Sequence, residues 1–167
     1  MPLDRYPMNE TPGAGAAARP FVFEEFFLGT VSGRGIVQDR WGRLRQAFVV
    51  DMHGGWSGAD FVLDEFFRYR DGTVQRRTWR VTKGTGGRYW ASADDLVGLA
   101  EATVEPGAVR WRYRLRVPVR GRRIAFAFDD RMYLTDDGTV LDVSDMRKFG
   151  IRVGRLVLAL ERRGCRG

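Results

Sequence analysis

From about residue 26 to residue 160, short stretches of alternating apolar and polar residues are separated by tight-turn sequences, most of them rich in glycine. Each interval between turns is as long as one β-strand. Short strands at regular spacing are typical of a single antiparallel sheet that closes on itself. The interior of such a barrel is either packed with side chains or holds a ligand, which leaves few functional alternatives. The turns read Asp39-Arg40-Trp41-Gly42, Gly54-Gly55-Trp56, Arg70-Asp71-Gly72, Gly84-Thr85-Gly86-Gly87, Glu105-Pro106-Gly107, Arg120-Gly121 and Asp136-Asp137-Gly138.

The spacing of these turns predicts an all-β, up-and-down antiparallel barrel of about eight to ten strands. Before the first strand, the aromatic segment Phe21–Leu28 is expected to form a short helix or a plug that closes one end. Residues 93–98 could form part of two strands or a single helical turn. The predicted strands are 29–38, 43–53, 60–69, 73–82, 88–95, 97–104, 108–118, 122–135, 139–147 and 152–162.

The chain has 167 residues, a hydrophobic fraction of 44% and a formal net charge of +7, carried almost entirely by arginine. The apolar content is enough for one folded domain. The excess of basic over acidic residues permits binding to nucleic acid, an anionic surface or an acidic ligand, and is also compatible with a solvated outer face. We predict a flexible leader over residues 1–20, the barrel over 21–162 and a basic tail over 163–167.

Several kinds of catalytic site are excluded by composition. Cys165 is the only cysteine, so an internal disulfide and a multi-cysteine zinc site are excluded. His53 is the only histidine, and its place at the edge of a loop makes it a poor candidate for the base of a Ser-His-Asp triad. His53 is expected at the surface. No apolar run has the length of a signal peptide or of the roughly 20 residues that cross a bilayer. The sequence therefore predicts a cytoplasmic protein that is not an enzyme and uses no metal or cofactor.

Two hairpin registers follow from the loops Arg70-Asp71-Gly72 and Asp136-Asp137-Gly138, because a three-residue loop ending in glycine is a type I turn followed by a left-handed residue. A shift of one residue would exchange the faces of a strand. The first register pairs Tyr69 with Thr73, Phe67 with Gln75, Glu65 with Arg77 and Leu63 with Trp79; the second pairs Leu134 with Val140, Met132 with Asp142, Asp130 with Ser144 and Phe128 with Met146.

Where two acids are adjacent in a predicted strand, only one of them can face the interior, because neighbouring strand residues point to opposite faces. The inward-facing members are predicted to be Glu65 and Asp130. A buried carboxylate is costly unless it is paired, so each is expected either to form a structural ion pair with Arg77 or Lys148 or to anchor a polar ligand group. An enzyme is the third and weakest alternative, and a pocket with several acids of shifted ionisation and no basic partner would favour it. The candidate ligand-binding wall comprises Phe48, Val50, Leu63, Glu65, Phe67, Arg77, Trp79, Trp111, Tyr113, Phe126, Phe128, Asp130 and Met132.

A different function is suggested by a row of arginines on the opposite face of the seventh strand. Arg110, Arg112, Arg114 and Arg116 alternate with inward aromatic and apolar residues, at a spacing of roughly 6.6 Å. This spacing is compatible with a phosphate backbone. Aromatic residues that could stack on bases point to the other face, which disfavours nucleic-acid binding and leaves a solvated outer face as the alternative.

Eight motifs follow one another along the chain: Gly35–Arg40, Arg45–Asp51, Leu63–Gly72, Arg77–Arg80, Ala93–Gly98, Trp111–Leu115, Phe128–Leu134 and Met146–Gly150. Their order resembles that of a bacterial family of unknown function, DUF 3833, over about residues 24–162. This resemblance implies a calycin barrel, the class that includes lipocalins, and brings no established activity. Some relatives resemble lipoproteins, but their N-terminal cysteine is absent here. Arg131 stands where family members often have tryptophan.

These observations predict a non-enzymatic barrel that binds a small hydrophobic or amphipathic molecule in its interior. The alternatives are an arginine-faced barrel that docks on nucleic acid or an anionic surface, and a purely structural, packed barrel. An enclosed cavity of roughly 300 Å³ or more would favour the binding protein. An interior at normal packing density would favour the structural barrel.

Overall fold

The chain forms a closed antiparallel barrel of ten strands, each paired with the next, with the first and last strands closing the sheet. This fold is seen in a computed structural model that describes residues 19–164. The predicted leader lies outside this range except for residues 19 and 20, as does Cys165 in the tail. The elements are α1 (Phe23–Phe27), β1 (Gly29–Asp39), β2 (Leu44–Ser57), β3 (Asp60–Tyr69), β4 (Val74–Lys83), β5 (Arg88–Ser92), β6 (Ala100–Glu105), β7 (Ala108–Val119), β8 (Arg122–Leu134), β9 (Val140–Lys148) and β10 (Ile151–Arg162).

Aspartate and glycine together fix several hairpin turns. In the β1–β2 turn, the backbone amides of Trp41 and Arg43 both donate to Asp39 Oδ1 at 3.0 Å, and Gly42 takes a positive φ of 80°. Glycine adopts this left-handed conformation without the steric penalty of a Cβ atom. Asp71 and Asp137 bind the backbone of the β3–β4 and β8–β9 turns in the same way. Local turn chemistry therefore sets these hairpins independently of the core.

Both predicted registers are confirmed. Glu65 lies opposite Arg77 in the β3–β4 pair, and Asp130 lies opposite Ser144 in the β8–β9 pair. The alternation along β7 and β8 also has the predicted sense, with Trp111 buried and Arg112 exposed. The side chains assigned to the inner face consequently point into the barrel.

Two local predictions are wrong. Gly54-Gly55-Trp56 is not a turn, because β2 continues to Ser57. A Cβ atom at Gly54 would collide with the carbonyl oxygen of Phe27, so the glycine is needed where α1 rests on the sheet. Residues 93–98 are neither strand nor helix: β5 ends at Ser92 and β6 begins at Ala100.

The helix α1 closes one end of the barrel, as the aromatic segment predicted. The Phe23 ring packs 5.4 Å from the Trp111 ring and 5.9 Å from the Tyr89 ring, measured between centroids. Glu24 holds the helix in place, because it accepts a hydrogen bond from the Tyr89 hydroxyl at 2.8 Å and pairs with Lys83. We call this end the closed end. None of the helices in the described range is long and apolar enough to cross a membrane.

Candidate functional site

A cavity of about 260 Å³ lies inside the barrel, between α1 and the end opposite it. Most of its wall is aromatic or aliphatic, and the polar groups are confined to a few positions. Its lining includes Phe23, Phe27, Val37, Met52, Leu63, Glu65, Phe67, Tyr69, Gln75, Arg77, Trp79, Val81, Ala91, Trp111, Tyr113, Leu115, Arg116, Val117, Pro118, Phe128, Asp130, Met132, Asp142, Ser144, Met146, Arg155, Leu156, Leu158 and Leu160.

The barrel wall has a gap beside this cavity. β5 and β6 have only five and six residues, so part of β4 and part of β7 have no strand between them. The connecting segment 93–99 covers part of the gap: the Val97 amide donates to the Arg114 carbonyl and the Arg116 amide to the Asp95 carbonyl. A depression on the outside shares four lining residues with the cavity, Gln75, Arg77, Arg116 and Pro118. We call this place the mouth.

Arg77 joins two acids between the mouth and the cavity. Its Nη1 lies 3.4 Å from Glu65 Oε2, and its Nη2 lies 2.8 Å from Asp95 Oδ2. The Arg77 and Glu65 side chains are 13% and 11% exposed, so water screens this pair poorly. Burial raises the pKa of Glu65, while the charge of Arg77 opposes that rise. Arg77 is thus committed to these two carboxylates.

A second polar group lies across three neighbouring strands. Asp130 on β8 accepts hydrogen bonds from the Tyr113 hydroxyl, at 2.5 Å, and from the Ser144 hydroxyl. Burial raises the pKa of Asp130 to about 7 in spite of these two bonds. Burial likewise raises the pKa of Tyr113 well above its ordinary value. Lys148 does not pair with Asp130, contrary to one prediction, because its ammonium donates to the Ala125 carbonyl.

Two buried polar atoms on the cavity wall have no hydrogen-bond partner among the described residues. They are Asp142 Oδ1 and the indole Nε1 of Trp111, and each residue is 5% exposed. Burial, followed by the nearby charge of Asp130, raises the pKa of Asp142 well above its ordinary value. A buried polar atom without a partner is costly, and such atoms in native proteins call for an explanation. A ligand or ordered water in the cavity would satisfy both.

Ten of the thirteen predicted wall residues line the cavity, and three do not. Phe48 is buried against β1, because its ring occupies the space where a Cβ atom of Gly35 would lie. Val50 is buried in the core beside it, and Phe126 lies 5.7 Å from the Lys148 ammonium, towards the end opposite α1.

The sequence prediction missed Asp142, although its own register pairs Asp142 with the inward Met132. It also missed Asp95, which lies in an irregular segment where residue alternation carries no information.

The arginine row on β7 is less available than its pattern indicated. Arg110 forms an ion pair with Asp129, with its Nε 2.7 Å from Oδ1, and the Arg116 guanidinium donates to the Leu96 carbonyl at 3.0 Å. Arg112 and Arg114 are exposed on the outer wall. His53 also lies at the surface, as expected. Within residues 19–164, no group of three or more His, Cys, Asp or Glu side chains could hold a metal ion.

The fold is a closed, lipocalin-like antiparallel β-barrel. The chain itself belongs to the family described as "Protein of unknown function (DUF3833)", whose sequence profile matches residues 12–162. No curated protein matches the chain.

Solved structures with a similar fold include the following two. One is the S-type phycobiliprotein lyase CPES from Guillardia theta, with a TM-score of 0.60, 9% identity and coverage of 85% of this chain and 92% of that chain. The other is Rv2717c from M. tuberculosis, with a TM-score of 0.56, 15% identity and coverage of 83% and 94%. At these identities the likeness shows the fold alone.

Proposed function

We propose that this protein binds a small, largely apolar molecule inside the barrel and carries it without changing it. The observation that supports this most strongly is the pair of unpartnered buried atoms, Asp142 Oδ1 and Trp111 Nε1, on the wall of an apolar cavity. A small number of polar groups set in an apolar wall is the usual composition of a ligand pocket. The volume of about 260 Å³ lies slightly below the roughly 300 Å³ set above as the criterion for a binding protein, so a ligand of this cavity is small.

The charges in the cavity favour a ligand whose polar group is uncharged. Arg77 is neutralised by Glu65 and Asp95 and has little capacity left for an anion. The raised pKa of Asp142 favours its protonated form, and a protonated carboxyl can both donate and accept a hydrogen bond. The Trp111 indole can only donate. A hydroxyl, carbonyl or amide group would satisfy both atoms, whereas a carboxylate would be repelled by Glu65 and by ionised Asp130.

Titration with the uncharged fluorescent probe N-phenyl-1-naphthylamine tests this proposal. We expect saturable binding of one probe per chain, and at least a tenfold loss of affinity in Val117→Phe, which fills the cavity beside the mouth. Val49→Phe is the matched control, because Val49 is 43% exposed and does not line the cavity. Absence of saturable binding, or equal affinities for both variants and the wild type, would contradict an interior site.

A proton-transfer catalyst is the second candidate. It is supported by the raised pKa values of Asp130 and Asp142, since neither acid has a basic partner among the described residues. One barrel of similar fold is a lyase. If a molecule recovered with the protein is converted at a rate that follows an ionisation near pH 7, and Asp130→Asn abolishes that conversion, the protein is a catalyst. If the molecule is released unchanged, the carrier proposal stands.

A further inference from the structure

Basic charge is concentrated at the end of the barrel opposite α1. We define the open rim as the four hairpin connections there, each taken with two flanking strand residues on either side: 38–45, 68–75, 118–123 and 147–152. The open rim contains eleven basic and two acidic residues. The four hairpin connections at the closed end, counted in the same way, contain two basic and four acidic residues. The fifth connection at the open end, between β5 and β6, counted in the same way over 91–101, adds three acidic residues and no basic one. The open end therefore still carries most of the net positive charge of the described residues.

Three of the four acids in the rim and in segment 93–99 are already engaged. Asp39 and Asp71 bind the backbone amides of their own turns. The remaining connection at this end, segment 93–99, carries Asp94 and Asp95, and Asp95 is bound to Arg77. The basic side chains of the rim are mostly exposed. Arg68 pairs with Asp51, and Arg147 and Arg152 lie 3.8 Å from Asp145, so eight of the eleven basic residues have no ion-pair partner among the described residues.

Large apolar side chains stand among these basic residues. Phe149 is 91% exposed and Trp41 is 66% exposed, both at hairpin turns. The Arg40 guanidinium lies 4.3 Å above the Trp41 ring, and the Lys148 ammonium lies 5.0 Å from the Phe149 ring. Leu44, Val74 and Ile151 are exposed on the same rim. Aromatic rings beside arginine and lysine are typical of surfaces that insert into the interface of anionic membranes.

Phe149 occupies its position at a conformational cost. Its φ is +50°, in the left-handed region, and Gly150 follows with a φ of 76°. A two-residue hairpin turn of this kind favours asparagine or glycine at the first position. A bulky residue held in this conformation and almost fully exposed gains little from folding, which points to a role outside the folded core.

We propose that the open rim docks on the surface of an anionic lipid bilayer, with Trp41 and Phe149 inserted at the level of the head groups and the basic residues bound to lipid phosphates. The mouth lies at the same end, between β4 and β7, since Gln75 and Pro118 belong to both the rim and the mouth. A docked barrel would therefore present the entrance of its cavity to the bilayer. This inference rests on the rim and does not require the proposed ligand.

Sedimentation with lipid vesicles tests the proposal. Vesicles of phosphatidylcholine alone are compared with vesicles that also contain phosphatidylglycerol, at low and at high salt. We expect binding to the anionic vesicles only, weakened by salt. Because a basic residue near such a surface contributes about 1 kcal/mol, Arg120→Gln/Arg122→Gln should lower partitioning about 30-fold. Arg112→Gln/Arg114→Gln on the outer wall removes the same charge and should have a much smaller effect.

The apolar contribution is tested with Trp41→Ser/Phe149→Asn, which we expect to lower partitioning at least tenfold. Asparagine suits the left-handed turn, so this variant should keep its fold. Trp56→Ser at the closed end is the matched control, since Trp56 is 53% exposed. Equal losses in the rim and wall variants, no effect of Trp41→Ser/Phe149→Asn, or no preference for anionic lipid would overturn the proposal. So would tighter binding to single-stranded nucleic acid that depends on Arg112 and Arg114.

Discussion

Removing the Arg77 guanidinium should destabilise the protein far more than removing an exposed arginine. Arg77→Met would leave the Glu65 carboxylate, 11% exposed, without the cation that lies 3.4 Å from it. Breaking a buried ion pair from one side costs about 3–5 kcal/mol, because an uncompensated charge remains. For a chain of this length, that corresponds to a fall in the melting temperature of about 6–20 °C. Urea unfolding and calorimetry measure both quantities.

The double variant Arg77→Met/Glu65→Leu separates charge from packing. It removes both members of the interior pair and leaves Asp95, which lines the mouth and can be hydrated. We expect at least half of the lost stability to return. Arg68→Met is the surface control: Arg68 lies 2.9 Å from Asp51, but both side chains are well exposed, so its loss should cost less than about 1 kcal/mol.

The pH dependence gives an independent test. The folded-state pKa of Glu65 is already raised, and loss of Arg77 would raise it further. A carboxyl with a raised folded pKa stabilises the fold when protonated, and this contribution is lost as pH rises through that pKa. The loss of stability in Arg77→Met, relative to the wild type, should therefore become smaller as the pH is lowered from about 7 towards the ordinary glutamate pKa of 4.5. If the loss of stability in Arg77→Met does not change with pH, and the double variant loses as much stability, then Glu65 is not a buried charge that Arg77 compensates.

Three further predictions concern other parts of the barrel. Burial raises the pKa of Asp130 from 3.8 to about 7 and also raises the pKa of Asp142. As the pH rises from about 4 through about 7, the urea midpoint of the wild type should therefore decrease relative to that of Asp142→Asn, and a constant difference would contradict these shifts. Gly54→Ala should lower the free energy of unfolding in urea by about 1–3 kcal/mol, because the added Cβ atom would collide with Phe27. Gly55→Ala is the control: Gly55 has open space around it, so the loss should be less than about 0.5 kcal/mol. Equal losses in the two variants would refute the close approach of α1 to Gly54. Phe149→Asn should stabilise the chain by about 0.5–1 kcal/mol in the same assay, and a loss of stability would show that the ring contributes to folding.

Much of the barrel could be predicted because its turns carry local information. Asp71 and Gly72 define their loop from sequence alone, and the loop fixes the pairing of Glu65 with Arg77. The prediction of a turn at Gly54 is wrong because the role of this glycine does not depend on its neighbours in sequence. Adjacent glycines usually mark a turn, but Gly54 allows the close approach of Phe27, which is distant in the sequence. Local sequence contains no trace of that contact.

The candidate site was only partly predictable. Alternation along the strands places Asp130 and Trp111 on the inner face, and the β8–β9 register also implied an inward Asp142. Asp95 reaches Arg77 from segment 93–99, and its position follows from the shortness of β5 and β6. The unpartnered state of Trp111 and Asp142 depends on the three-dimensional arrangement of several strands, so no sequence pattern could reveal it.

Native mass spectrometry of the protein purified from its own cells tests the central claim most directly. If the barrel carries a small molecule, gentle ionisation should show the chain with a discrete added mass that collisional activation removes. Val117→Phe should lack this added mass, and Val49→Phe should retain it. A wild-type protein that appears only at its chain mass, and that also fails to bind N-phenyl-1-naphthylamine, would contradict the account.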